Sequence, residues 1–219
     1  MNRVIMLLSL KPILYGLIGM LISGSVFPIA GVIIVRNNLM PMRYMLMHGV
    51  ILGGIISVSL SLPLLPLTII LNILLVLLMV KMGKGKNGGL GSSSTAMMVF
   101  TMALASLFSH VSGVPAKDTL EVLWGSPFAL TLTDLFILFL LAVATLIYIT
   151  LFFRPLSMIF FDKEVAMSMG VKVELHNTLM LLMTALVVSV SMKMVGALLI
   201  DTLVILPVIG AGKRAKGLK

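Results

Sequence analysis

Cysteine is absent from this chain, and charged residues are scarce. Without cysteine, the chain has neither a disulfide framework nor a thiolate metal site. Only 11% of its 219 residues are charged, whereas an ordinary soluble domain is about one quarter charged. Acidic residues are the rarest charged class, seven against sixteen lysines and arginines. Together with a hydrophobic content of 60%, this scarcity of charge excludes an ordinary soluble domain.

The chain has a series of long apolar runs instead. A helix needs about 20 mostly apolar residues to cross a bilayer, and the mean hydropathy of this chain is +1.21. Pro63 and Pro66 divide one uncharged stretch that is too long for a single crossing. The predicted spans are 12–35, 44–62, 63–80, 94–112, 134–153, 175–193 and 195–211. We therefore predict an all-α, polytopic transmembrane helical bundle of about seven spans, with residues 1–219 as a single domain.

The net charge of +9 follows the positive-inside pattern of membrane proteins, so it does not indicate a nucleic-acid partner. With the N-terminus outside, Arg3, Lys11, Lys117 and Lys193 lie outside and the other twelve basic residues lie inside. The inside set is Arg36, Arg43, Lys81, Lys84, Lys86, Arg154, Lys163, Lys172, Lys213, Arg214, Lys216 and Lys219. We therefore expect a multi-pass protein of the cytoplasmic (inner) membrane, surrounded by lipid.

Polar residues inside the apolar runs are candidates for function, because ionisable groups at membrane depth are costly. Asp201 is the only charged residue in the stretch 194–212. His48 precedes a stripe of small residues that lets another helix approach closely. The stripe consists of Gly49, Gly53, Ser57 and Ser61. From spacing alone, His48 is either a ligand or polar gate on a transport path, or a histidine bonded to a nearby backbone carbonyl.

The other two histidines lie near the ends of predicted spans. His110 ends the fourth span, where a role at the entrance of an ion pathway competes with that of an ordinary interfacial residue. His176 begins the sixth span, and we expect it at the membrane interface. Three histidines without a partner four residues away make only a weak metal signal. The nineteen methionines are scattered around helical faces, so we expect them to pack or to face lipid.

No motif in the sequence indicates nucleotide chemistry or catalysis. The glycine- and lysine-rich segment 83–89 lacks the G-x-x-x-x-G-K-[ST] spacing of a phosphate-binding loop. No Ser/His/Asp arrangement is evident either. We therefore expect that the chain is not an enzyme and binds no cofactor of its own.

The segment 154–174, between the fifth and sixth predicted spans, contains the signals of a short capped helix. Asp162 is a good N-cap, Glu164 in the first turn suits the helix dipole, and Gly170 is placed to end the helix. On physical grounds this helix is either a docking element for a cytoplasmic partner or an interfacial helix lying on the membrane.

Within that segment, the pattern Phe161-Asp162-x-Glu164-x-Ala166-x-x-x-Gly170-Val171 resembles the cytoplasmic coupling motif of ABC-3 family permeases. These permeases are the membrane subunits of zinc, manganese and iron ABC importers. Three further similar elements follow the family's order along nearly the whole chain. They are His48 with Gly53 in the second span, Leu123-Trp124-Gly125-Ser126, and Val195-Gly196-Ala197-Leu198-Leu199 followed by Leu203 to Pro207 and Ala211.

The resemblance implies a permease subunit with the type II ABC importer fold that transports a divalent metal ion. It implies a separate ATPase subunit, which uses the ATP and docks on Asp162, Glu164, Ala166 and Gly170. It also implies an extracytoplasmic metal-binding protein and a second permease, which is a second copy of this chain or a paired permease. His48 is the metal ligand that the resemblance implies.

The chain departs from the family pattern at informative positions. Tyr44, which would lie on the ion pathway, replaces an aspartate of the family's metal site, and tyrosine is neutral near pH 7. Asp201 stands where the family has a small or apolar residue, which makes it a second candidate ligand. The family pattern continues beyond Ala211 with one or two further spans. The alternative interpretation is therefore a truncated permease remnant that does not transport.

The distribution of basic residues predicts the orientation of the chain in the membrane. A reporter fused after Lys86 should read cytoplasmic, and one fused near Lys117 should read extracytoplasmic, because most basic residues then lie inside. Paired alkaline phosphatase and fluorescent-protein fusions would measure this. Opposite readings at both positions would overturn the orientation and the docking role of 154–174.

Overall fold

The described part of the chain is helical and contains no β-strand. The computed structural model describes residues 10–84, 89–113 and 124–214, without the side chains of 193–195, 197–201 and 214. Its helices are α1 (Lys11–Val26), α2 (Pro28–Arg36), α3 (Met40–Leu60), α4 (Leu64–Gly83), α5 (Leu90–Val111), α6 (Leu132–Leu151), α7 (Phe153–Phe161), α8 (Lys163–Ser168), α9 (Val173–Val195) and α10 (Ala197–Arg214). A short 3₁₀ turn, Pro127–Ala129, precedes α6.

Six stretches of the described chain are long and apolar enough to cross a bilayer, and one shorter apolar helix follows them. The six are Lys11–Arg36, α3, α4, α5, α6 and Val173–Met192 within α9. The shorter stretch is Thr202–Lys213 within α10. The predicted fold class, an all-α transmembrane bundle with about seven spans, is confirmed.

Two helices begin earlier than predicted. α3 begins at Met40 and α5 at Leu90, each four residues before the predicted start of the span. Pro41 is in the first turn of α3, where its missing N–H costs no hydrogen bond. In α5, Ser93 and Ser94 donate to the carbonyls of Leu90 and Gly91, at 3.1 and 2.7 Å. Both helices therefore begin in the residues that precede the apolar runs.

α3 and α9 carry much of the core. α3 packs against α4 and α5, whereas α9 packs against α4, α2 and α3. Four fully buried side chains of α3 are Met42, Met45, Leu46 and Ile55. On the other side of the bundle, α1 packs against α6 and the turn Pro127–Ala129, and α10 packs against α2. Most positions of α3 are therefore committed to internal packing, which leaves one face open near its start.

The segment 154–174 contains two helices, of which the sequence predicted only the second. α7 buries Leu156 and Ile159, which are three residues apart and therefore share a face. α8 follows after a single residue, Asp162, and packs against α7 and the start of α9. The helix with the coupling motif thus stands between two span-bearing parts of the bundle.

Candidate ion pathway and partner-docking helix

His48 lies one helical turn after Tyr44 on α3 and contacts its backbone. The Nδ1 of His48 is 2.8 Å from the carbonyl oxygen of Tyr44. Because a carbonyl only accepts, Nδ1 carries the proton in this contact. In the neutral ring, Nε2 then holds the lone pair with which a histidine ligates a metal ion. The hydrogen bond to the Tyr44 carbonyl therefore leaves Nε2 free to ligate a metal ion. His48 can be bonded to a backbone carbonyl and still serve as a ligand, so the two interpretations are compatible.

Tyr44 is held by the arginine that precedes it. Nη2 of Arg43 donates to the Tyr44 hydroxyl at 2.6 Å, and the guanidinium carbon lies 4.5 Å from the ring centroid. Such cation–π contacts add to the attraction. A positive charge therefore lies next to the position of the family's aspartate, and it disfavours a bound cation. The charge next to the Tyr44 ring is therefore positive and not neutral.

The face of α3 that carries Tyr44 and His48 is open in the single chain. Tyr44 is 37% exposed and His48 is half-buried, whereas Gly49 next to them is buried. A phenol held by a guanidinium, one turn from an imidazole, is a poor surface to present to hydrocarbon. This face suits an ion path or a surface that another chain covers.

A buried amide on α4 fixes a different side of α3. Asn72 is fully buried, and its Nδ2 donates to the Leu46 carbonyl at 3.3 Å and to Ser189 Oγ at 2.7 Å. Ser189 itself donates to the Ala185 carbonyl at 2.7 Å, so it accepts from Asn72. Both partners of Nδ2 are therefore acceptors, which determines the orientation of the amide. Asn72 connects α3, α4 and α9 at one point.

The oxygen of this amide points at a glycine. A Cβ at position 49 would overlap Asn72 Oδ1, and a Cβ at position 53 would lie 2.7 Å from the side chain of Thr68. Among the described residues, Asn72 Oδ1 has no hydrogen-bond donor. Gly49 and Gly53 therefore allow the close approach of α4 that the small-residue stripe predicted.

The two serines of the stripe have another role. Ser57 Oγ donates to the Leu62 carbonyl at 2.5 Å, and Ser61 ends α3 in the left-handed region with φ 53°. Both serines shape the turn that leads into α4. In the stripe, Gly49 and Gly53 therefore serve helix packing, whereas Ser57 and Ser61 serve the end of α3.

The other predicted site residues are not brought to His48 by the described geometry. His110 is exposed in the last turn of α5. His48 lies twelve residues before the end of α3, ~18 Å along the axis, and α3 and α5 run in the same direction in an up-and-down bundle. Asp201 belongs to α10, but its side chain lies outside the described residues. In the part of the chain that the structure describes, no three His, Cys, Asp or Glu residues form a cluster suited to a metal ion.

The capped helix α8 has the predicted start. Asp162 Oδ1 accepts from the backbone N–H groups of Glu164 and Val165, at 2.8 and 3.1 Å. These two bonds satisfy donors that a helix N-terminus otherwise leaves open. Ala166 is fully buried beneath the helix, and Glu164 is exposed. Of the motif residues, Asp162 therefore caps the helix, Glu164 is exposed and Ala166 is buried.

The predicted end of α8 is present as well. Gly170 has φ +82°, and its N–H donates to the Met167 carbonyl at 3.0 Å, while Val171 N–H donates to Ala166 O at 3.0 Å. This pair of bonds is a Schellman motif. A Cβ at position 170 would meet no atom within 4 Å. Glycine is therefore favoured at this position by the backbone conformation and not by lack of space.

α8 and its flanks expose large apolar side chains. Phe161 is 82% exposed, and Val165, Met167 and Met169 are also exposed. This group, which we term the α8 surface, lies outside the stretches that are long enough to span a bilayer. Beside it, an ion pair between Lys84 and Glu174, with Nζ and Oε2 2.6 Å apart, joins the end of α4 to the start of α9. Apolar side chains next to charged ones form a surface suited to binding another protein.

One polar cluster was missed by the sequence analysis. His176, expected at the interface, is buried, and the Tyr148 hydroxyl lies 3.3 Å from its Nδ1. The ring of Phe152 packs against the His176 ring at a tilt of 56°, with the centroids 5.0 Å apart. The spacing of Tyr148 and Phe152, four residues apart on α6 and its cap, was the available signal. The cluster joins the end of α6 to the start of α9.

The bundle of spans and the short helix between them define a polytopic membrane protein. The sequence model of the ABC 3 transport family matches residues 9–219, and this chain belongs to that family.

Relatives with assigned functions match part of the chain. It is 32% identical over 122 residues to the manganese import system permease protein ScaB of Streptococcus pneumoniae, covering 56% of this chain and 44% of that protein. It is 31% identical over 102 residues to the high-affinity zinc uptake system membrane protein ZnuB of Haemophilus influenzae, covering 45% and 38%. The matched region spans less than half the length of these relatives.

A solved structure shares the fold over nearly the whole chain. PsaBC from Streptococcus pneumoniae, in complex with a Fab, superposes with a TM-score of 0.78 at 24% identity. The superposition covers 97% of this chain and 76% of that one.

The contact between Gly49 and Asn72 predicts a stability effect. Gly49→Ala should destabilise the protein by about 1–3 kcal/mol, because the new methyl group overpacks against Asn72 Oδ1. Asn72→Ala should cost a similar amount through lost hydrogen bonds. The double variant should be more stable than the sum of the two effects by about 0.5–3 kcal/mol, since removing the amide makes room for the methyl.

Thermal unfolding in detergent measures all three variants. Gly24→Ala is the matched control, because it is also a helical glycine of a span and a Cβ there would meet nothing within 4 Å. If Gly49→Ala is as stable as Gly24→Ala, position 49 of α3 does not lie as close to Asn72 of α4 as the structure shows.

Proposed function

We propose that this chain, as a single permease domain of residues 1–219, is a permease subunit of an ABC importer for a divalent metal ion. The observation that carries the proposal is α8, a capped helix with an exposed apolar surface between two spans of an ABC 3 family chain. ATP is used by a separate ATPase subunit, so the motion has to enter the spans through a protein contact. The named relatives transport manganese or zinc, which favours these ions; iron is a further candidate.

A continuous set of contacts connects α8, where the ATPase would dock, to α3, which carries His48. α8 packs against α7 and the start of α9. Further along α9, Ser189 accepts from Asn72, which also donates to Leu46 on α3. His48 is two residues after Leu46. A shift of α8 that moves α9 would therefore also move the helix that carries the candidate ligand.

The ion needs replacement ligands where it loses water, and His48 is the residue that we propose as one of them. The imidazole Nε2 would point to the open face of α3, where a second permease, either a copy of this chain or a paired one, contributes further ligands. An extracytoplasmic metal-binding protein delivers the ion on the side of His110. Imidazole alone suits zinc better than manganese, which prefers carboxylate and water ligands. Tyr44 and Arg43 therefore predict weaker binding of hard cations than a carboxylate at position 44 would allow.

Removal of His48 tests the pathway. Cells that express this chain with its ATPase and binding protein should accumulate zinc or manganese above an empty vector, and His48→Ala should lower uptake by tenfold or more. The imidazole is the proposed ligand, and its loss leaves the ion without a replacement for water. Met47→Ala is the matched control on the same turn, because Met47 is also half-buried, and it should retain uptake. Metal content by mass spectrometry and protein level by immunoblot are measured together.

Three further substitutions locate the site. Tyr44→Asp should lower the KM for the ion, because it adds an anionic ligand one turn from His48, and Arg43→Gln in that background should lower it further. Uptake that survives His48→Ala and is lost in Asp201→Asn would move the site to α10. If His48→Ala and Asp201→Asn both retain uptake, the proposal of a ligand within the membrane is wrong. If no variant and no wild-type chain transports, the non-transporting interpretation stands instead.

The end of α8 tests the docking role. Gly170→Leu should weaken co-purification of the ATPase, because a side chain in the left-handed region costs about 1–2 kcal/mol and projects from the docking surface. Gly170→Asn is the matched control, since asparagine tolerates this conformation, and it should retain most of the association. Membrane insertion should be unchanged in both. Equal ATPase recovery from Gly170→Leu and the wild type would count against the docking role.

A further inference from the structure

Asn72 is a polar side chain at a depth in the membrane where burial of polar groups is costly. It is fully buried near the middle of α4, a helix long enough to cross a bilayer. Since the hydrocarbon core offers no water, a polar atom without a partner in the protein destabilises the fold. The Nδ2 group has two acceptors, but Oδ1 has no donor in the part of the chain that the structure describes. The amide is therefore only partly satisfied.

The packing of α4 against α3 does not by itself require an amide. The other buried residues of α4 are apolar, except Thr68, whose hydroxyl donates to the Leu65 carbonyl of the same helix at 3.0 Å. Gly49 and Gly53 already allow the two helices to approach closely. An apolar side chain at position 72 would leave no acceptor without a partner. Polar residues that are costly at membrane depth are candidates for function.

What the amide adds is a connection between three helices. Its Nδ2 donates to the Leu46 carbonyl of α3 at 3.3 Å and to Ser189 Oγ of α9 at 2.7 Å. Hydrogen bonds are directional, so they fix the level of one helix relative to another. Apolar contacts fix that level less strictly, since they are not directional. The amide therefore holds α3 and α9 at a defined level on the same side chain of α4.

We propose that Asn72 is a positioning residue of the transport cycle, which transmits a displacement of α9 to the part of α3 that carries His48. The inference rests on the proposed function. Leu46, the partner of the amide on α3, is two residues before His48. Ser189, the partner on α9, lies sixteen residues after Val173, the first residue of that helix, which is ~24 Å along the axis. The amide therefore lies between the candidate ligand and the helix against which α8 packs.

Without the amide, α9 and the candidate ligand on α3 would move independently. A displacement of α8 would still reach α9, because α8 packs against its start, so the ATPase would still complete its cycle. The part of α3 near His48 would no longer follow, because Leu46 and Ser189 would no longer share a partner. ATP hydrolysis would then continue with little ion uptake. This result separates a positioning role from a purely structural one.

The ratio of zinc or manganese ions taken up to ATP hydrolysed tests the inference in liposomes that contain the full chain, its ATPase and its binding protein. Asn72→Val removes the amide, and Ser189→Ala removes the acceptor on α9. Each should lower the ratio about fivefold or more, which is the usual size of coupling between two sites. Because a loss of folded protein lowers uptake and hydrolysis together, a purely structural role would leave the ratio unchanged. If Asn72→Val does not accumulate, Ser189→Ala alone decides, since alanine is the residue best tolerated in a helix.

Thr68→Val is the matched control and should keep the wild-type ratio, because Thr68 is also buried on α4 but its hydroxyl donates within that helix. The double variant of Asn72→Val and Ser189→Ala should have the same ratio as Asn72→Val alone, since both changes break one connection. A wild-type ratio in either single variant, or effects that multiply in the double variant, would overturn the inference. Absence of uptake by the wild type would instead contradict the proposed function, and the inference would fall with it.

Discussion

The contact between Asn72 on α4 and Gly49 on α3 is the constraint on which the rest of the bundle depends. In a membrane a buried amide has no water to pair with, so its hydrogen bonds have to come from the protein. The two Nδ2 hydrogens reach acceptors on α3 and α9. The oxygen has no donor among the described residues and lies against Gly49, which has no side chain to obstruct it. Three helices are thereby fixed at one level, and the rotation of α3 about its axis is determined.

That rotation explains the candidate site. With Gly49 and Leu46 turned toward α4, Tyr44 and His48 are turned to the open face of the chain. The carbonyl of Tyr44 then sets the tautomer of His48, and Arg43 places a positive charge beside it. The site therefore combines a histidine oriented as a ligand with surroundings less favourable to a cation than a carboxylate would provide. Among the described residues, no three His, Cys, Asp or Glu side chains form a metal-binding group there.

Much of the fold was predictable because its signals are local. Apolar runs longer than about 18 residues determine the spans, and Asp162 and Gly170 determine the limits of α8 through their own backbone contacts. The misses have long-range causes. His176 is buried because α6 brings Tyr148 and Phe152 to it, and α7 forms because Leu156 and Ile159 find a surface to pack on. To predict which side of α3 contacts Asn72, one has to know which helix lies next to α3. Hydrophobic periodicity does not contain that information, since almost every face of these helices is apolar.

The orientation of α3 predicts that its face with Tyr44 and His48 is not covered by lipid. Because the chain has no cysteine, single cysteines at Tyr44 and at Leu78 can carry spin labels in reconstituted bilayers. Leu78 is a close match, since it is 40% exposed against 37% for Tyr44, and both lie within about a turn and a half of the same end of the α3–α4 pair. The measurement compares collision of each label with oxygen, which concentrates in lipid, and with a water-soluble nickel chelate. We expect a lipid-like ratio at Leu78 and a ratio shifted toward water, or shielding from both reagents, at Tyr44. A lipid-like ratio at both positions would contradict it.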